Sequence, residues 1–389
     1  MMKLKIVMLA GLLLFFCGCI DRKFAVLEKE MEEFCAKAVP DRRTDLCQVA
    51  LRKGEGNTIE VRGELLSPEL RDRICRLISE AGYQVADSLV VLPAEDPEGK
   101  SMGLISVSVA NLRTDPEHGA ELSTQAVMGT PVRILKRKYG WLYVQTPDRY
   151  LSWTNNSSVA EITSEALKAW NEGSRLLFTD PWGWVVRDQN SSERISVLVA
   201  GCIVKGEKSG GALVRVELPD GTAGFAEARK FTDFEEWKQA LPGDAQSFLD
   251  VAKQYTGVPY MWGGTSSKAF DCSGFTKTVW FLNGIILERD ASQQFKYGEI
   301  VEPGEKQENL QPGDLLFFGR KEPLRIIHVG IYAGNREVIH SSGQVWINSM
   351  DSAQSHFSRY LFSTFVGAKR VLGMASQSGY LAIKDHPWY

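Results

Sequence analysis

At the start of the chain, hydrophobic residues recur first at helical and then at strand-like spacing. Residues 24–38 place apolar side chains on one helical face, whereas residues 58–63 and 88–93 alternate as strands do. Between these two strands, Ser67 followed by a proline predicts the start of a second helix, because serine caps a helix and proline suits its first position. We therefore predict a small α+β module over residues 20–100 that ends in a linker rich in Pro, Glu and Gly.

The next part of the chain consists of short alternating strands separated by turns, and its pattern occurs twice. Equivalent positions are separated by 72 residues, as in Gly129 and Gly201, Val132 and Val204, Val144 and Val216, and Trp153 and Phe225. A constant offset over many positions indicates two copies of one structural unit. The segment resembles tandem bacterial SH3-like barrels, which we expect at residues 101–160 and 172–231. One larger β-domain is the alternative.

The last part, residues 243–389, combines helical spacing with buried strands. Residues 245–255 are spaced as an amphipathic helix, and residues 315–318 form a continuous apolar strand after a Pro-Gly-Asp turn. A further helix is predicted to begin at Cys272, with Asp271 as its N-cap. The chain as a whole is therefore predicted to be a multidomain α+β protein.

The first 19 residues predict a secretion signal. A lysine-containing start precedes an apolar run over residues 6–16 that is too short for a permanent membrane span, and Gly18-Cys19 follows. This ending resembles a bacterial lipobox, in which Cys19 becomes the lipidated first residue of the mature chain. We expect an extracytoplasmic protein of the bacterial cell envelope that is lipid-anchored to the membrane. An uncleaved or conventionally cleaved signal, with Cys19 incidental, is the alternative.

Composition narrows the classes of partner. The 389 residues carry a net charge of −3, so nothing suggests a nucleic-acid partner, and the oligomeric state is left open. Seven cysteines are too few and too scattered for a disulfide framework, but an extracytoplasmic location would allow a bridge between two of Cys35, Cys47 and Cys75. No repeated C-x-x-C or other metal-ligand spacing occurs, so we predict no metal and no cofactor.

Cys272 is the candidate nucleophile. It has small polar neighbours and lies where a Gly-rich loop enters a helix, whose free N–H groups favour the thiolate and so lower the pKa of the thiol. Of the five histidines, His328 and His340 fall on consecutive strand-like runs after this helix. Antiparallel pairing would bring both imidazoles to one sheet edge. Cys272 as nucleophile, His328 as base and later acid, and His340 as its orienter is the arrangement of cysteine hydrolases.

Five linked motifs extend this pattern. They are Pro-Tyr-Met-Trp-Gly-Gly from Pro259, Asp-Cys-Ser-Gly-Phe from Asp271, Gln-Pro-Gly-Asp-Leu-Leu-Phe-Phe from Gln311, His-Val-Gly-Ile-Tyr from His328 and Ile-His-Ser from Ile339. In order and approximate spacing they resemble the motifs of the NlpC-type cell-wall cysteine peptidases, over about residues 243–373. The resemblance implies a papain-like α+β fold and the cleavage of peptidoglycan stem peptides, so peptidoglycan-derived peptides are the expected partners.

The resemblance also implies how the substrate is chosen. In members with N-terminal SH3-like barrels, a cleft between the first barrel and the peptidase domain binds a free α-amine of the substrate. The matching candidates here are Tyr260, Asp271, Ser273 and Ser292 in the catalytic domain, and Glu121 and Tyr150 in the first barrel. A buried carboxylate in this cleft would select a free amine by charge pairing. The expected reaction is cleavage of free L-Ala-γ-D-Glu-diamino acid peptides after D-Glu, with poor action on intact wall.

Two further groups complete the expected active site. The backbone N–H of Cys272, with the side chain of Tyr260, is expected to stabilise the oxyanion.

Two other functions remain as alternatives. One is that of an amidase or acyltransferase on the same papain-like core. The other is that of a cell-wall-binding protein, not an enzyme, whose C-terminal domain is inactive. The complete set of Cys272, His328 and His340 disfavours this alternative.

Overall fold

The structure is a computed structural model that describes residues 22–94, 96–240, 244–304, 307–373, 376 and 379–389. The predicted signal over residues 1–19, with Cys19, lies outside the described residues. The chain divides after Ala94 into two compact units. None of the helices among the described residues is long and apolar enough to cross a membrane.

The first unit is the predicted small α+β module. Its elements are α1 (residues 22–38), β1 (Cys47–Lys53), β2 (Thr58–Leu65), α2 (Pro68–Glu80) and β3 (Gln84–Val91). The sheet has the order β1-β2-β3, with β1 antiparallel to β2 and β3 parallel to it through the α2 crossover. Ser67 caps α2 as predicted, because its hydroxyl accepts the N–H of Leu70 at 3.2 Å. A disulfide joins Cys35 to Cys47, and Cys75 is a free thiol.

The second unit begins with two sheets of seven strands each. The first sheet contains β4 (Met102–Ile105), β5 (Val109–Arg113), β6 (Leu122–Val127), β7 (Pro131–Lys138), β8 (Trp141–Gln145), β9 (Leu151–Asn155) and β10 (Val159–Ile162). The second contains β11 (Arg175–Phe178), β12 (Trp182–Val186), β13 (Arg194–Val199), β14 (Ile203–Gly206), β15 (Leu213–Glu217), β16 (Ala223–Glu227) and β17 (Phe231–Asp233). Helix α3 (Ser164–Glu172) connects the two sheets, and α4 (Phe234–Gln239) follows the second.

Both sheets have the same topology. The first has the order β10-β4-β7-β8-β9-β5-β6, and the second, read from its other edge, has the order β17-β11-β14-β15-β16-β12-β13. Short 3-10 turns, Asn156–Ser158 and Ala228–Lys230, lie after the equivalent strands β9 and β16. The repeated valines predicted from the 72-residue offset are fully buried in both copies. The internal repeat is therefore present as two SH3-like β-domains and not as one larger sheet.

The C-terminal part is a six-stranded antiparallel sheet with helices packed against it. Its elements are α5 (Ala245–Lys253), β18 (Thr265–Ser266), β19 (Ala269–Phe270), α6 (Cys272–Leu282), β20 (Ile285–Leu287), α7 (Ala291–Gln294), β21 (Glu299–Val301), β22 (Leu315–Arg320), β23 (Arg325–Gly334), β24 (Glu337–Ser342), β25 (Gln344–Ser349), α8 (Arg359–Thr364), β26 (Phe365–Arg370), β27 (Tyr380–Ala382) and the 3-10 turn Ile383–Asp385. The sheet order is β21-β26-β22-β23-β24-β25. Phe275 and Val279 bury α6 against strand residues such as Phe317 and Val329 in one core. The fold class is the predicted multidomain α+β arrangement with a papain-like C-terminal domain.

Strand β6 of the first sheet is fixed to the β18–β19 hairpin that leads into α6. The backbone N–H of Gln125 donates to the Thr265 hydroxyl at 2.9 Å. The same hydroxyl donates to the backbone carbonyl of Gln125 at 2.8 Å. Gly263, with φ +79°, lets this segment approach the first β-domain closely, since a Cβ there would lie 2.4 Å from the carbonyl oxygen of Leu122. The first β-domain is thus built into the approach to Cys272.

Candidate active site

Cys272 is the first residue of α6, as predicted. Asp271 caps the helix, because its Oδ1 accepts the N–H of Gly274 at 2.7 Å. Gly274 is required for close packing, since a Cβ there would lie 2.0 Å from the carbonyl oxygen of Gly264. The Cys272 side chain is buried, with 8 % of its surface exposed. The helix start therefore holds the candidate nucleophile in a fixed position with its own backbone N–H unused within the helix.

The pKa of the Cys272 thiol differs from the expectation for a helix N-terminus. Burial, and then the neighbouring charge of Asp271, raise this pKa to about 12, although the N–H of Val329 hydrogen-bonds the sulfur and opposes the shift. The expected lowering was wrong for the free site because loss of hydration outweighs the helix N-terminus in a buried thiol. Since Val329 follows His328 on β23, the same contact puts the sulfur against the strand that carries the candidate base.

A chain of hydrogen bonds fixes the tautomer of His328. Nε2 of His328 lies 2.9 Å from Nδ1 of His340, and Nε2 of His340 lies 2.9 Å from Oδ1 of Asn348. The amide nitrogen of Asn348 donates to the carbonyl of His356 at 3.3 Å, which turns the amide oxygen toward His340. Because that oxygen only accepts, His340 carries its proton on Nε2 and accepts on Nδ1. His328 is then protonated on Nε2, and its Nδ1 lone pair is available for the thiol proton.

Both imidazoles are neutral in the free site. Burial and the adjacent His340 lower the pKa of His328 to about 3, and burial also lowers the pKa of His340. The two rings meet because β23 and β24 are antiparallel neighbours, as predicted. His328 is the fourth residue of β23 and not its first, since the strand begins at Arg325. A neutral thiol and a neutral imidazole can react by transferring the proton as the sulfur attacks.

Asn348 is a site residue that the sequence reasoning missed. It lies on β25, where Asn348 pairs with Val338 and Trp346 pairs with His340. Residues two apart on a strand share a face, so Asn348 is the diagonal neighbour of His340 across the two strands. Asn348 lies two positions after Trp346, the partner of His340, and this spacing becomes a signal only once the strand pairing is known.

Asp271 and Ser273, two of the residues expected to bind the amine, both contact Arg289. Asp271 forms a buried two-pronged ion pair with Arg289, and its second oxygen also accepts the N–H of Gly263 at 3.0 Å. The Ser273 hydroxyl accepts a hydrogen bond from Nη1 of Arg289 at 3.0 Å. One guanidinium therefore contacts both groups and compensates the charge of the Asp271 carboxylate, while the Ser273 hydroxyl donates to Asp271. Arg289 is therefore a further residue of this site that the sequence alone did not identify.

The remaining catalytic-domain candidates lie around this core. Tyr260 is half-buried, and burial followed by the charges of Cys272 and Asp271 raises the pKa of its phenol to about 12, so it keeps its proton near neutral pH. It is held by its backbone N–H, which donates to the carbonyl of Gly343 at 2.8 Å. Ser292 is the second residue of α7 and is half-buried. Tyr260 therefore remains a proton donor of the kind expected for an oxyanion.

The two candidates in the first β-domain lie against the catalytic domain. An Oε1 atom of Glu121 accepts the indole N–H of Trp262 at 2.7 Å. The Tyr150 hydroxyl donates to Oδ2 of Asp290 at 3.1 Å, and only 8 % of the Tyr150 surface is exposed. The structure thus brings both residues to segments that flank Cys272 in sequence. Asp290, which follows Arg289 and is half-buried, is a further carboxylate at the contact between the first β-domain and the catalytic domain.

Comparison with known proteins agrees with this geometry. The family described as NlpC/P60 matches residues 257–366, and the family described as bacterial dipeptidyl-peptidase SH3 domain matches residues 112–159. A γ-D-glutamyl-L-lysine dipeptidyl-peptidase of Bacillus cereus is 28% identical over 57% of this chain and 67% of its own length. Dipeptidyl-peptidase 6 of Lysinibacillus sphaericus is 27% identical over 67% of this chain and 96% of its own length.

Solved structures show the same fold. The crystal structure of an NlpC/P60 family protein from Bacillus cereus superposes with a TM-score of 0.61 at 23% identity and covers 69% of this chain and 99% of that protein. An NlpC/P60 endopeptidase from Photobacterium damselae gives a TM-score of 0.53 at 18% identity, covering 76% of each chain. With the matched domains and the assembled site, the chain is a cysteine peptidase whose catalytic domain belongs to the NlpC/P60 family of peptidoglycan hydrolases.

Proposed function

We propose that the protein hydrolyses the γ-D-glutamyl–diamino acid bond of peptidoglycan stem peptides and requires a free N-terminal L-Ala. The observation that carries this proposal is the docking of Glu121 and Tyr150, from the first β-domain, against the segments that surround Cys272. A β-domain that served only to target the wall would not need to contact the segments on either side of the nucleophile. The similarity to relatives named γ-D-glutamyl-L-lysine dipeptidyl-peptidase supports the choice of bond.

The roles of the residues follow from the hydrogen-bond chain. The sulfur of Cys272 attacks the γ-carbonyl carbon of D-Glu while its proton passes to Nδ1 of His328. The new imidazolium is stabilised because its Nε2–H donates to His340. The oxyanion receives the Cys272 N–H and the Tyr260 hydroxyl. His328 then protonates the leaving amine of the diamino acid, and the acyl-enzyme is released by water that His328 activates in the same way.

Selection of a free amine requires a carboxylate near the first residue of the substrate. Since Asp271 is neutralised by Arg289, the proposal assigns this task to Glu121 and Asp290. An acylated N-terminus would bring no positive charge to these carboxylates and would remove water from them without the ammonium that compensates for its loss. An unsatisfied polar group of this kind costs about 1.5–3 kcal/mol, or roughly tenfold to 150-fold in kcat/KM.

The test is a comparison of two substrates. The kcat/KM for free L-Ala-γ-D-Glu-diamino acid peptide is measured against that for the same peptide acetylated at its amine, and intact wall is the third substrate. We expect a ratio of at least tenfold in favour of the free peptide and little release from intact wall. Equal values for the two peptides would mean an open groove and would remove Glu121 and Tyr150 from the site while leaving the Cys272 chemistry in place.

Location in the cell envelope with a lipid anchor at Cys19 is a separate part of the proposal. The Cys35–Cys47 disulfide supports an oxidising, extracytoplasmic compartment, because such bridges are rare where thiols are kept reduced. Cys19→Ser should release the protein from membranes or leave it unprocessed. Mass spectrometry of the mature N-terminus decides the question, since an unmodified start beyond residue 19 contradicts lipidation.

A further inference from the structure

Arg289 is a fully buried cation that contacts the residues directly before and after the candidate nucleophile. Its side chain is 1% exposed. The guanidinium holds both carboxylate oxygens of Asp271, one of them through Nη1 at 3.1 Å, and the same Nη1 donates to the Ser273 hydroxyl at 3.0 Å. Its Nε donates to the hydroxyl of Thr124, on strand β6 of the first β-domain, at 2.9 Å. Asp271 and Ser273 are the residues on either side of Cys272.

We propose that Arg289 is a positioning residue that holds Asp271 and Ser273 about Cys272 and cancels the carboxylate charge beside the thiol, so that the sulfur can become negative during attack. The inference rests on the proposed role of Cys272 as the nucleophile. It assigns to Arg289 a task in the reaction that the guanidinium performs through Asp271 and Ser273.

The charges around the sulfur support this role. Asp271 raises the pKa of Cys272, whereas Arg289 lowers it, so the two charges act on the thiol in opposite directions. The other titratable groups that face the sulfur are neutral: His328 and, behind it, His340 have lowered pKa values, and the phenols of Tyr260 and Tyr360 have raised ones. Arg289 is thus the positive charge that offsets Asp271 at a site where burial strengthens every charge interaction.

The surroundings of Arg289 explain why an arginine is needed. Asp290 lies 3.9 Å from Nη1. Burial disfavours the charged guanidinium, but the charges of Asp271, Asp290 and Tyr150 outweigh it and raise the pKa of Arg289, so the group does not titrate in the working range. The planar fork reaches Asp271, Ser273 and Thr124 at once, which the single ammonium of a lysine cannot do. Thr124 of the first β-domain thus helps to hold the Arg289 guanidinium, which in turn holds the residues at the start of α6.

The test is the rate at which iodoacetamide alkylates Cys272 in the full chain, measured by peptide mass spectrometry between pH 7 and 9 so that Cys75 and Cys202 do not contribute. Arg289→Met leaves Asp271 as an uncompensated charge, and the alkylation rate should fall about tenfold or more, since an adjacent charge shifts a pKa by about one to three units. Asp271→Asn removes the carboxylate that opposes Arg289 at the thiol, and the rate should rise above that of the wild type. Asparagine still caps α6, so the helix start is kept.

The double variant Asp271→Asn/Arg289→Met removes both charges, and we expect its alkylation rate to return to within a few fold of the wild type. Arg289→Lys should alkylate nearly normally and yet lose kcat, because the charge is kept while the fork is lost. Thermal unfolding of each variant shows whether it is folded. If Arg289→Met does not fold, the opposite shift in Asp271→Asn and the behaviour of the double variant still decide the matter.

Two outcomes overturn the proposal: an unchanged alkylation rate in folded Arg289→Met, or a rate in Asp271→Asn that does not exceed the wild type. Neither depends on the substrate. A wild-type protein that fails to cleave the γ-D-Glu peptide, but whose Cys272 responds to these charges as described, would contradict the proposed function and leave the role of Arg289 intact.

Discussion

His340 donates its Nε2–H to the side-chain oxygen of Asn348 over 2.9 Å. The imidazole is thereby left with Nδ1 as an acceptor, which takes the Nε2–H of His328. The protonation state of the candidate base is thus decided two side chains away, on the neighbouring strand. Asn348 acts through His340, and its effect is to present the free lone pair of His328 to the thiol.

Replacing Asn348 should separate orientation from charge. Asn348→Leu removes the acceptor, so His340 can adopt either tautomer. We expect kcat to fall about 10- to 100-fold, the size of loss found when the hydrogen-bond partner of a metal-binding histidine is removed. Asn348→Asp keeps the acceptor but adds a negative charge that raises the pKa of His340. Its kcat should then be lost as the pH falls toward 5, because His340 protonated on both nitrogens cannot accept from His328. Equal pH profiles for wild type and Asn348→Asp would contradict the tautomer chain.

Cys272→Ala should abolish turnover while the melting temperature stays close to that of the wild type. His328→Ala should cost several orders of magnitude in kcat, and His340→Ala less, because His340 only orients the base. Steady-state kinetics with thermal melts as the control check this order. An active His328→Ala variant beside an inactive His340→Ala variant would reverse the roles assigned here.

The acid side of the pH profile follows from the lowered pKa of His328. The base must be neutral to accept the proton, and its folded pKa of about 3 lies below the ordinary value of 6.5. Activity should therefore persist as the pH falls from 8 to 5, whereas a solvent-exposed imidazole would lose it near 6.5. The measurement is kcat/KM against pH. A half-maximal value near pH 6.5 would show that burial does not control His328 in the working enzyme.

Glu121→Gln and Tyr150→Phe should weaken amine recognition without changing the chemistry of the thiol. Both substitutions keep the shape of the side chain, and Tyr150→Phe deletes the hydrogen bond to Asp290. We expect a raised KM for the free peptide, a smaller preference over the acetylated peptide and an alkylation rate at Cys272 equal to that of the wild type. A preference that survives in the double variant would place the selective carboxylate elsewhere.

Gly263→Ala tests the junction between the first β-domain and the catalytic domain. Its matched control is Gly257→Ala, because both glycines have positive φ, +79° and +87°, but a Cβ meets nothing within 4 Å at Gly257. Each variant should lose about 1–2 kcal/mol of unfolding free energy from the left-handed backbone. Only Gly263→Ala should lose more and also lower kcat/KM, since its methyl group collides with the carbonyl of Leu122. Equal losses in the two variants would mean that the close approach has no role in activity.

Several features were readable in the sequence because they are local. Ser67 and Asp271 cap helices through contacts within one turn, and the 72-residue repeat predicted two like β-domains that the matching strand orders confirm. The order of Cys272, His328 and His340 along the chain, together with antiparallel pairing, was enough to predict that the two imidazoles meet.

Tertiary structure decided what depends on burial and on partners distant in sequence. The helix start at Cys272 predicted a lowered thiol pKa, but whether burial outweighs it depends on how much water the packed core removes, which no local pattern encodes. The charge of Asp271 looked available for an amine because Arg289, eighteen residues later, is brought to it only by the fold. Asn348 likewise became part of the site through strand register, since a shift of one residue would turn its side chain to the opposite face.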